Sequence, residues 1–398
     1  MVDAVVFITL FVAAAASLFM AWTVGAGSSG STPFAPAVGA NAISVMRAGF
    51  LVGILGFSGA VLQGANVTNT VGSGLVIFAE GGGLSAIAAI VALFTAALLV
   101  AAGIFTGYPI ATAFTVTGAV VGVGLAMGGQ PAVSNYIEIV LLWVTAPFIG
   151  GGIAFATAWV LHHDEMPENR CILVLSGIVG AILANIEFVL LAPGEQQASI
   201  ASVLAQSLNT PVLPTVVIVT IVTGAVATKL VERDIRADPV TGQRHFLLVL
   251  GGLVAFSAGG SQVGLALGPL LPLLNKEGTT FISFTWVLMF GGVGLLIGSW
   301  TGAPRMIKAL AQDYSSLGPR RSIAALIPSF VLAQTAVLFG IPISFNEIIV
   351  STIIGSGAAG DGSVNQGKIV KTLLAWIGSL VLAFSASYGV YTAIALVT

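Results

Sequence analysis

Residues 107–126 read GYPIATAFTVTGAVVGVGLA, and residues 340–359 read GIPISFNEIIVSTIIGSGAA. At a constant offset of 233 residues, Gly107, Pro109, Ile110, Gly122, Gly124 and Ala126 fall on Gly340, Pro342, Ile343, Gly355, Gly357 and Ala359 without a gap. A turn of Gly and Pro followed by a helix of small residues is therefore written twice. Whatever the first half builds, the second half is expected to build again.

The setting of that repeat is lipid. The chain has 398 residues, of which 57% are hydrophobic and only 7% charged, and its mean hydropathy is +1.06. A water-soluble domain needs about a quarter charged residues to cover its surface. The long apolar runs carry few charges and lack a two-residue alternation, so the spans are helices and not barrel strands. A net charge of −2 argues against nucleic acid as a partner. The single cysteine, Cys171, excludes a disulfide framework and any cysteine-based metal cluster. His162, His163 and His245 lie in or beside charged loops, and no zinc-protease, CxxC or phosphate-loop motif is present. Neither an enzyme nor a cofactor is expected, and no metal ligand set is assigned. Residues 4–21 lack the basic start of a signal peptide and are read as the first transmembrane helix.

Apolar segments of about spanning length fall at 4–24, 47–64, 83–106, 110–128, 136–161, 170–192, 211–230, 245–268, 284–300, 321–339, 342–359 and 369–396. The fold class expected is an all-α polytopic membrane protein with about twelve transmembrane helices. Basic residues test the map. Arg47, Arg170, Lys229, Arg233, Arg236, Arg244, Arg305, Lys308, Arg320, Arg321, Lys368 and Lys371 all fall on one side, and only Lys276 on the other. The positive-inside rule makes the first side cytoplasmic, so both termini of this multi-pass cell-membrane protein are expected outside.

Five spans lie within residues 1–161 and five within 245–398, with two linking spans and a charged loop in 162–244. Seven spans separate the starts of the two units. Seven is odd, so the units are expected as inverted repeats with re-entrant or broken helices. Inverted repeats imply a carrier whose two halves exchange roles about a site near the midplane. An anion channel of the same fold and an intramembrane enzyme are the competing classes. A channel would show no accumulation, and an enzyme would need converging catalytic groups that this chain lacks.

The site is expected where each unit's first helix loses its apolar character. Residues 25–46 read GAGSSGSTPFAPAVGANAISVM, too polar for lipid and too apolar for a free loop. Ser31 or Thr32 can cap a short helix with Pro33 at its first position, leaving free N–H groups for an anion. The second break is expected at 256–269, FSAGGSQVGLALGP.

At these residues the chain resembles the inorganic phosphate transporter (PiT) family, which includes sulfate permeases. That family repeats G-A-N-D-x-x-N once per half, the second copy commonly as F-S-H-G-A-N-D-V-A-N-A-I-G-P. Phe256, Ser257, Gly259, Val263, Ala266, Gly268 and Pro269 match. Gly107, Pro109 and Thr112, then Gly340, Pro342 and Ser344, match its G-x-P-x-S-T-T stretch. Gly64 through Leu75, with Val67 and Thr70, is similar to a further family stretch. The resemblance implies a carrier coupled to sodium or protons, inorganic oxyanion as substrate, and a homodimer in the bilayer.

Two departures bear on the substrate. Ser261 and Gln262 stand where the family's second motif has Asn and Asp, and Leu265 replaces the later Asn. Gly27, Ser28 and Ser31 stand near the Asn, Asp and Asn of the first. Both acids are gone. Phosphate keeps a proton near neutral pH and can donate it to a carboxylate, whereas sulfate has none to give. Family frequency places phosphate first, and the missing acids make sulfate the alternative. The oxyanion shell expected is Gly27, Ser28, Ser29, Ser31, Thr32, Thr112, Ser261, Gln262 and Ser344.

Glu138, Glu187 and Glu347 fall within predicted spans, where a carboxylate is costly unless paired or protonated. Glu347 follows Ser344 by one turn and is the candidate coupling residue for H+ or Na+. Its bland reading is a hydrated position near the surface. Glu138 reads as interfacial and Glu187 as hydrated or paired at a subunit contact.

Overall fold

Without water to satisfy it, a backbone in lipid must pair its own N–H and C=O groups, and consecutive helices do so locally. The computed structural model describes residues 4–78, 82–162, 168–188, 191, 198–274, 283–359 and 364–397. Lys276 and His163 lie outside them. The helices are α1 (Ala4–Val24), continued by a π-helical turn (Gly25–Ser29), then α2 (Ala35–Gly39), α3 (Val45–Gln63), α4 (Ala65–Ser73), α5 (Ala86–Thr106), α6 (Thr112–Ala126), α7 (Val133–His162), α8 (Glu168–Ala184) and α9 (Ile200–Ser207). They continue as α10 (Val212–Ala237), α11 (Pro239–Leu267), α12 (Leu271–Leu274), α13 (Phe284–Thr301), α14 (Ala303–Gln312), α15 (Pro319–Phe339), α16 (Phe345–Ala358) and α17 (Gln366–Ala395). Two short antiparallel ribbons pair β1 (Val76–Ile77) with β2 (Gln130–Pro131) and β3 (Glu187–Phe188) with β4 (Ala198–Ser199).

The chain is the all-α polytopic membrane protein its composition requires. Among the described residues, nine helices are long and apolar enough to cross a membrane. The other three predicted spans are also helices, but shorter: α6 has 15 residues, α8 17 and α16 14. At 1.5 Å per residue they reach about 21–26 Å, short of a hydrocarbon core of roughly 30 Å. Exposed Phe148, Leu213, Ile221 and Leu374 face outward from α7, α10 and α17, as lipid contact requires.

Hydrogen bonds gather the basic helix ends on one face. Arg320 at the start of α15 and Gln243 in α11 both reach Glu168 of α8, and Arg244 donates to the Ala42 carbonyl before α3. Ser322 donates to Pro36 at the same end.

The repeated stretch forms two hairpins. Gly107 and Gly340 end α5 and α15 in the left-handed region, at φ 75° and 64°. This conformation suits glycine. The returning helices then pack across halves, α6 on α17 and α16 on α7. A Cβ on Gly122 would overlap the Phe384 carbonyl, and one on Gly355 the Gly151 carbonyl.

Two expectations about the breaks are corrected. The second is confined to the end of its stretch: α11 runs unbroken through 256–267, and only at Gly268 does it give way to a 3₁₀ turn. Its glycines keep the helical hydrogen bonds and admit neighbours, Gly259 against the backbone of Gly56 and Gly264 against that of Thr68. In the first, Ser31 and Thr32 cap nothing. Both hydroxyls bond back to the Ser28 carbonyl, and α2 begins only at Ala35, behind Phe34.

Candidate functional site

Three polar side chains from three elements meet at the end of the π-helical turn. Ser28 Oγ donates to Gln262 Oε1 at 3.0 Å, and Thr112 Oγ1 approaches the same oxygen at 2.9 Å. Thr112 and Ser28 hydroxyls lie 3.3 Å apart. All three residues are fully buried. An amide oxygen has two lone pairs, so Gln262 accepts both hydroxyls at once. Its Nε2 donates to the Ile343 carbonyl, just ahead of α16. One side chain of α11 thus ties the broken end of α1, the start of α6 and the approach to α16.

The two hairpin tips touch each other through Asn346. Its Nδ2 donates to the Ile110 carbonyl at 2.6 Å and to the Gly27 carbonyl at 2.9 Å. The N-termini of α6 and α16 are therefore neighbours. The first in-helix bonds are Thr115 to Ala111 and Ile348 to Ser344, so the N–H groups before them have no partner within their own helix. Two positive helix ends beside hydroxyls and an amide make an environment for an anion.

The first turn of α16 also holds oxygens without partners. Ser344 and Glu347 have the S-x-x-E spacing of a capping box, in which each side chain would bond the other residue's N–H. Here Ser344 makes no cap bond. Ser344 Oγ, Asn346 Oδ1 and Glu347 Oε2 are buried without a hydrogen-bond partner among the described residues. Glu347 is 1% exposed, so it is not the hydrated surface carboxylate of its bland reading. Glu138 is exposed at the start of α7, and Glu187 lies in β3, beyond the end of α8.

Of the shell expected from sequence, Ser28, Thr112 and Gln262 come together, with Gly27 and Ser344 beside them. Ser29, Ser31, Thr32 and Ser261 are buried nearby, but their hydroxyls go to the backbone carbonyls of Val24, Ser28, Ser28 and Ala258. Asn346 was not foreseen. Its signal was a lone amide in the first turn of a half-helix whose other repeat carries Ala113 at that place.

Residues 25–387 match the phosphate transporter family, and the chain belongs to it. The family is one of transporters and not of enzymes. The chain is 24% identical over 385 residues to a Pyrococcus horikoshii protein named "Putative phosphate permease", covering 92% of each chain. It is also 24% identical over 408 residues to the chloroplastic inorganic phosphate transporter 2-1 of Arabidopsis thaliana, covering 90% of this chain and 68% of that one. Among solved structures, one titled "The sodium-dependent phosphate transporter" has the same fold. Its TM-score is 0.80 at 22% identity, over 98% of this chain and 100% of that one.

Proposed function

We propose that this chain moves inorganic phosphate across the membrane by alternating access, coupled to a cation gradient. The observation that carries the reading is the closed polar cluster of Ser28, Thr112 and Gln262 between two helix N-termini, in a chain of the phosphate transporter family. The Ser28 and Thr112 hydroxyls, the Gln262 amide and two helix N-termini at such a place suit an oxyanion with its charge spread over several oxygens. Reciprocal contacts across the 233-residue offset support the two inverted units, in residues 1–161 and 245–398, with 162–244 as the link. The common face of the basic ends supports both termini lying outside. A homodimer follows from the resemblance alone.

Glu347 is the coupling residue in this reading. A carboxylate beside the anion cluster would repel a dianion, whereas its protonated form would donate a hydrogen bond from the oxygen now without a partner. Anion and proton would then travel together. No charged group opposes this on the helices packed against α16. The titratable groups of α7 (Tyr136, Glu138, His162) and the arginines of α15 (Arg320, Arg321) sit at helix ends away from it, and the Gly25–Ser29 turn has none.

Sulfate is the second reading, and one observation favours it. Ser28 and Gln262, which stand for the family's two acids, are hydrogen-bonded to each other. A site closed by a hydroxyl and an amide has no carboxylate to select a protonated anion. Uptake of labelled phosphate and labelled sulfate into proteoliposomes, under imposed proton or sodium gradients, tests all of this. Phosphate uptake supports the first reading and sulfate uptake alone the second. If neither anion accumulates, oxyanion transport is wrong.

A further inference from the structure

Far from the cluster, on the face that gathers the basic helix ends, a hollow of about 430 Å³ opens between the start of α3 and the start of α11. Its rim is Arg47 and Arg244. Its wall is Met46, Phe50, Leu51 and Leu248. The first three of those apolar residues are exposed. No acidic residue lines it.

The two arginines differ in how they are held. Arg244 donates through Nε to the Ala42 carbonyl at 2.8 Å, which fixes the plane of its guanidinium and leaves its terminal nitrogens without a protein partner among the described residues. Arg47 has no acceptor among them. Elsewhere on the face Arg236 pairs with Glu232, Arg320 with Glu168 and Lys368 with Asp313.

Depth is marked by Trp300. Its ring stacks on Phe50 at 5.4 Å, and its Nε1 donates to the Phe50 carbonyl at 3.2 Å. An indole with one apolar face and one satisfied N–H is the usual furniture of the headgroup boundary. Arg47 lies one turn toward the charged face from Phe50. Cationic groups therefore stand at headgroup level, and exposed apolar groups stand immediately below, at acyl level.

We propose that this hollow binds one anionic phospholipid of the adjoining leaflet, its phosphate between Arg47 and Arg244 and its chain along Met46, Phe50, Leu51 and Leu248. Free phosphate would use the arginines but gain nothing from the apolar wall. A neutral lipid would use the wall but leave two guanidinium groups without a net counter-charge. Because Arg244 holds the 40–44 segment, the lipid would brace the connection from the broken first helix to α3 against the second half. The inference is independent of which anion is carried.

The test uses the full chain in nanodiscs of phosphatidylcholine with a minor share of phosphatidylglycerol. Lipid retained on the released protein is read by native mass spectrometry. The wild-type chain is expected to retain phosphatidylglycerol over phosphatidylcholine. R47Q/R244Q is expected to lose that preference by roughly ten- to thirtyfold, the effect of two basic residues at a charged lipid surface. R305Q/K308Q, which removes two exposed charges from α14, is expected to keep it. Equal retention by R47Q/R244Q overturns the proposal. So does an equal loss in R305Q/K308Q, since the attraction would then belong to the whole basic face. Displacement of the lipid by millimolar inorganic phosphate overturns it in favour of a free-anion site.

Discussion

Trp143 and Trp376 stand 233 residues apart and make the same bond to opposite halves of the molecule. Trp143 Nε1 donates to the Pro342 carbonyl at 2.8 Å, and Trp376 Nε1 to the Pro109 carbonyl at 2.8 Å. Pro109 and Pro342 are themselves one offset apart. Each long helix therefore buckles the other half's hairpin tip, and the exchange is the fold's own statement of the repeat read in its sequence.

Equal roles predict equal costs. Trp143→Phe and Trp376→Phe each keep an aromatic ring and remove one buried hydrogen bond, leaving a proline carbonyl unsatisfied. Each is expected to destabilise the protein by about 1–3 kcal/mol. Thermal unfolding in detergent measures both. Losses that differ by more than a factor of three would mean that the two contacts are not equivalent.

Glycine spacing predicts a second symmetric pair. Gly122→Ala would drive a methyl group into the Phe384 carbonyl, and Gly355→Ala into the Gly151 carbonyl. Backbone cannot step aside as a flexible side chain can, so a cost of roughly 1–3 kcal/mol is expected for each. Gly152→Ala is the control, because nothing lies within 4 Å of its added Cβ. Melting temperatures of the three variants decide the matter. A harmless Gly355→Ala would show that α7 and α16 are not in close contact.

The fold was legible because lipid leaves long apolar runs and one-sided basic residues in the sequence, and both survive any detail of packing. The break in α11 was misread because Gly, Ser and Gln are also what a continuous helix needs when Gly56 and Thr68 press against it. Composition does not separate the two cases. The cluster was legible residue by residue only where a side chain had no local acceptor. Ser29, Ser31 and Thr32 look like Ser28 in sequence, but each finds a carbonyl within five residues, and only the geometry of the turn decides which hydroxyl reaches Gln262.

That distinction predicts unequal roles for the neighbouring serines. Ser28→Ala removes a donor to Gln262 Oε1 and is expected to cut uptake by roughly tenfold or more, as loss of a buried hydrogen bond of about 1.5 kcal/mol would do. Ser29→Ala and Ser31→Ala are expected to stay within about twofold of wild type, since removing a hydroxyl bonded only to a nearby carbonyl changes little at the cluster. Initial rates in proteoliposomes, normalised to protein, are the measurement. The reverse ranking would move the site to the other face of the turn.

Glu347 predicts a pH dependence with a definite sign. If its protonated form admits the anion, uptake rises as the pH on the loading side falls, and is lost as the pH rises. Glu347→Gln keeps a donor of the same shape without a titrating proton. Its uptake is expected to be insensitive to pH and undriven by a proton gradient, while anion exchange persists. Proton-driven accumulation by Glu347→Gln would falsify this role for Glu347.

Lys368 predicts how the cluster is shut off from the basic face. Its ammonium donates to the Gly107 carbonyl at 3.3 Å and to Asp313 at 3.2 Å, and lies 4.2 Å from the centre of the Tyr108 ring. Tyr314 joins the same group through a 2.7 Å contact with Thr372, and burial pushes its hydroxyl pKa up, so it stays neutral. Among the described residues, no cation is bonded to the other hairpin tip. Gly340 rests on the Asn66 backbone, and the Asn66 amide bonds the Val337 and Leu338 carbonyls. A half-exposed ion pair contributes under about 1 kcal/mol and a cation over a ring about 0.5–2 kcal/mol. Together they can bias an equilibrium by roughly tenfold, enough to hold one side closed yet let it open. Lys368→Met is therefore expected to raise labelling of a Ser28→Cys reporter, in a Cys171→Ser background, by an impermeant maleimide from the basic side only. Lys368→Arg keeps the charge over the ring and should restore protection. Labelling that is unchanged in Lys368→Met would show that this contact braces the hairpin without gating it.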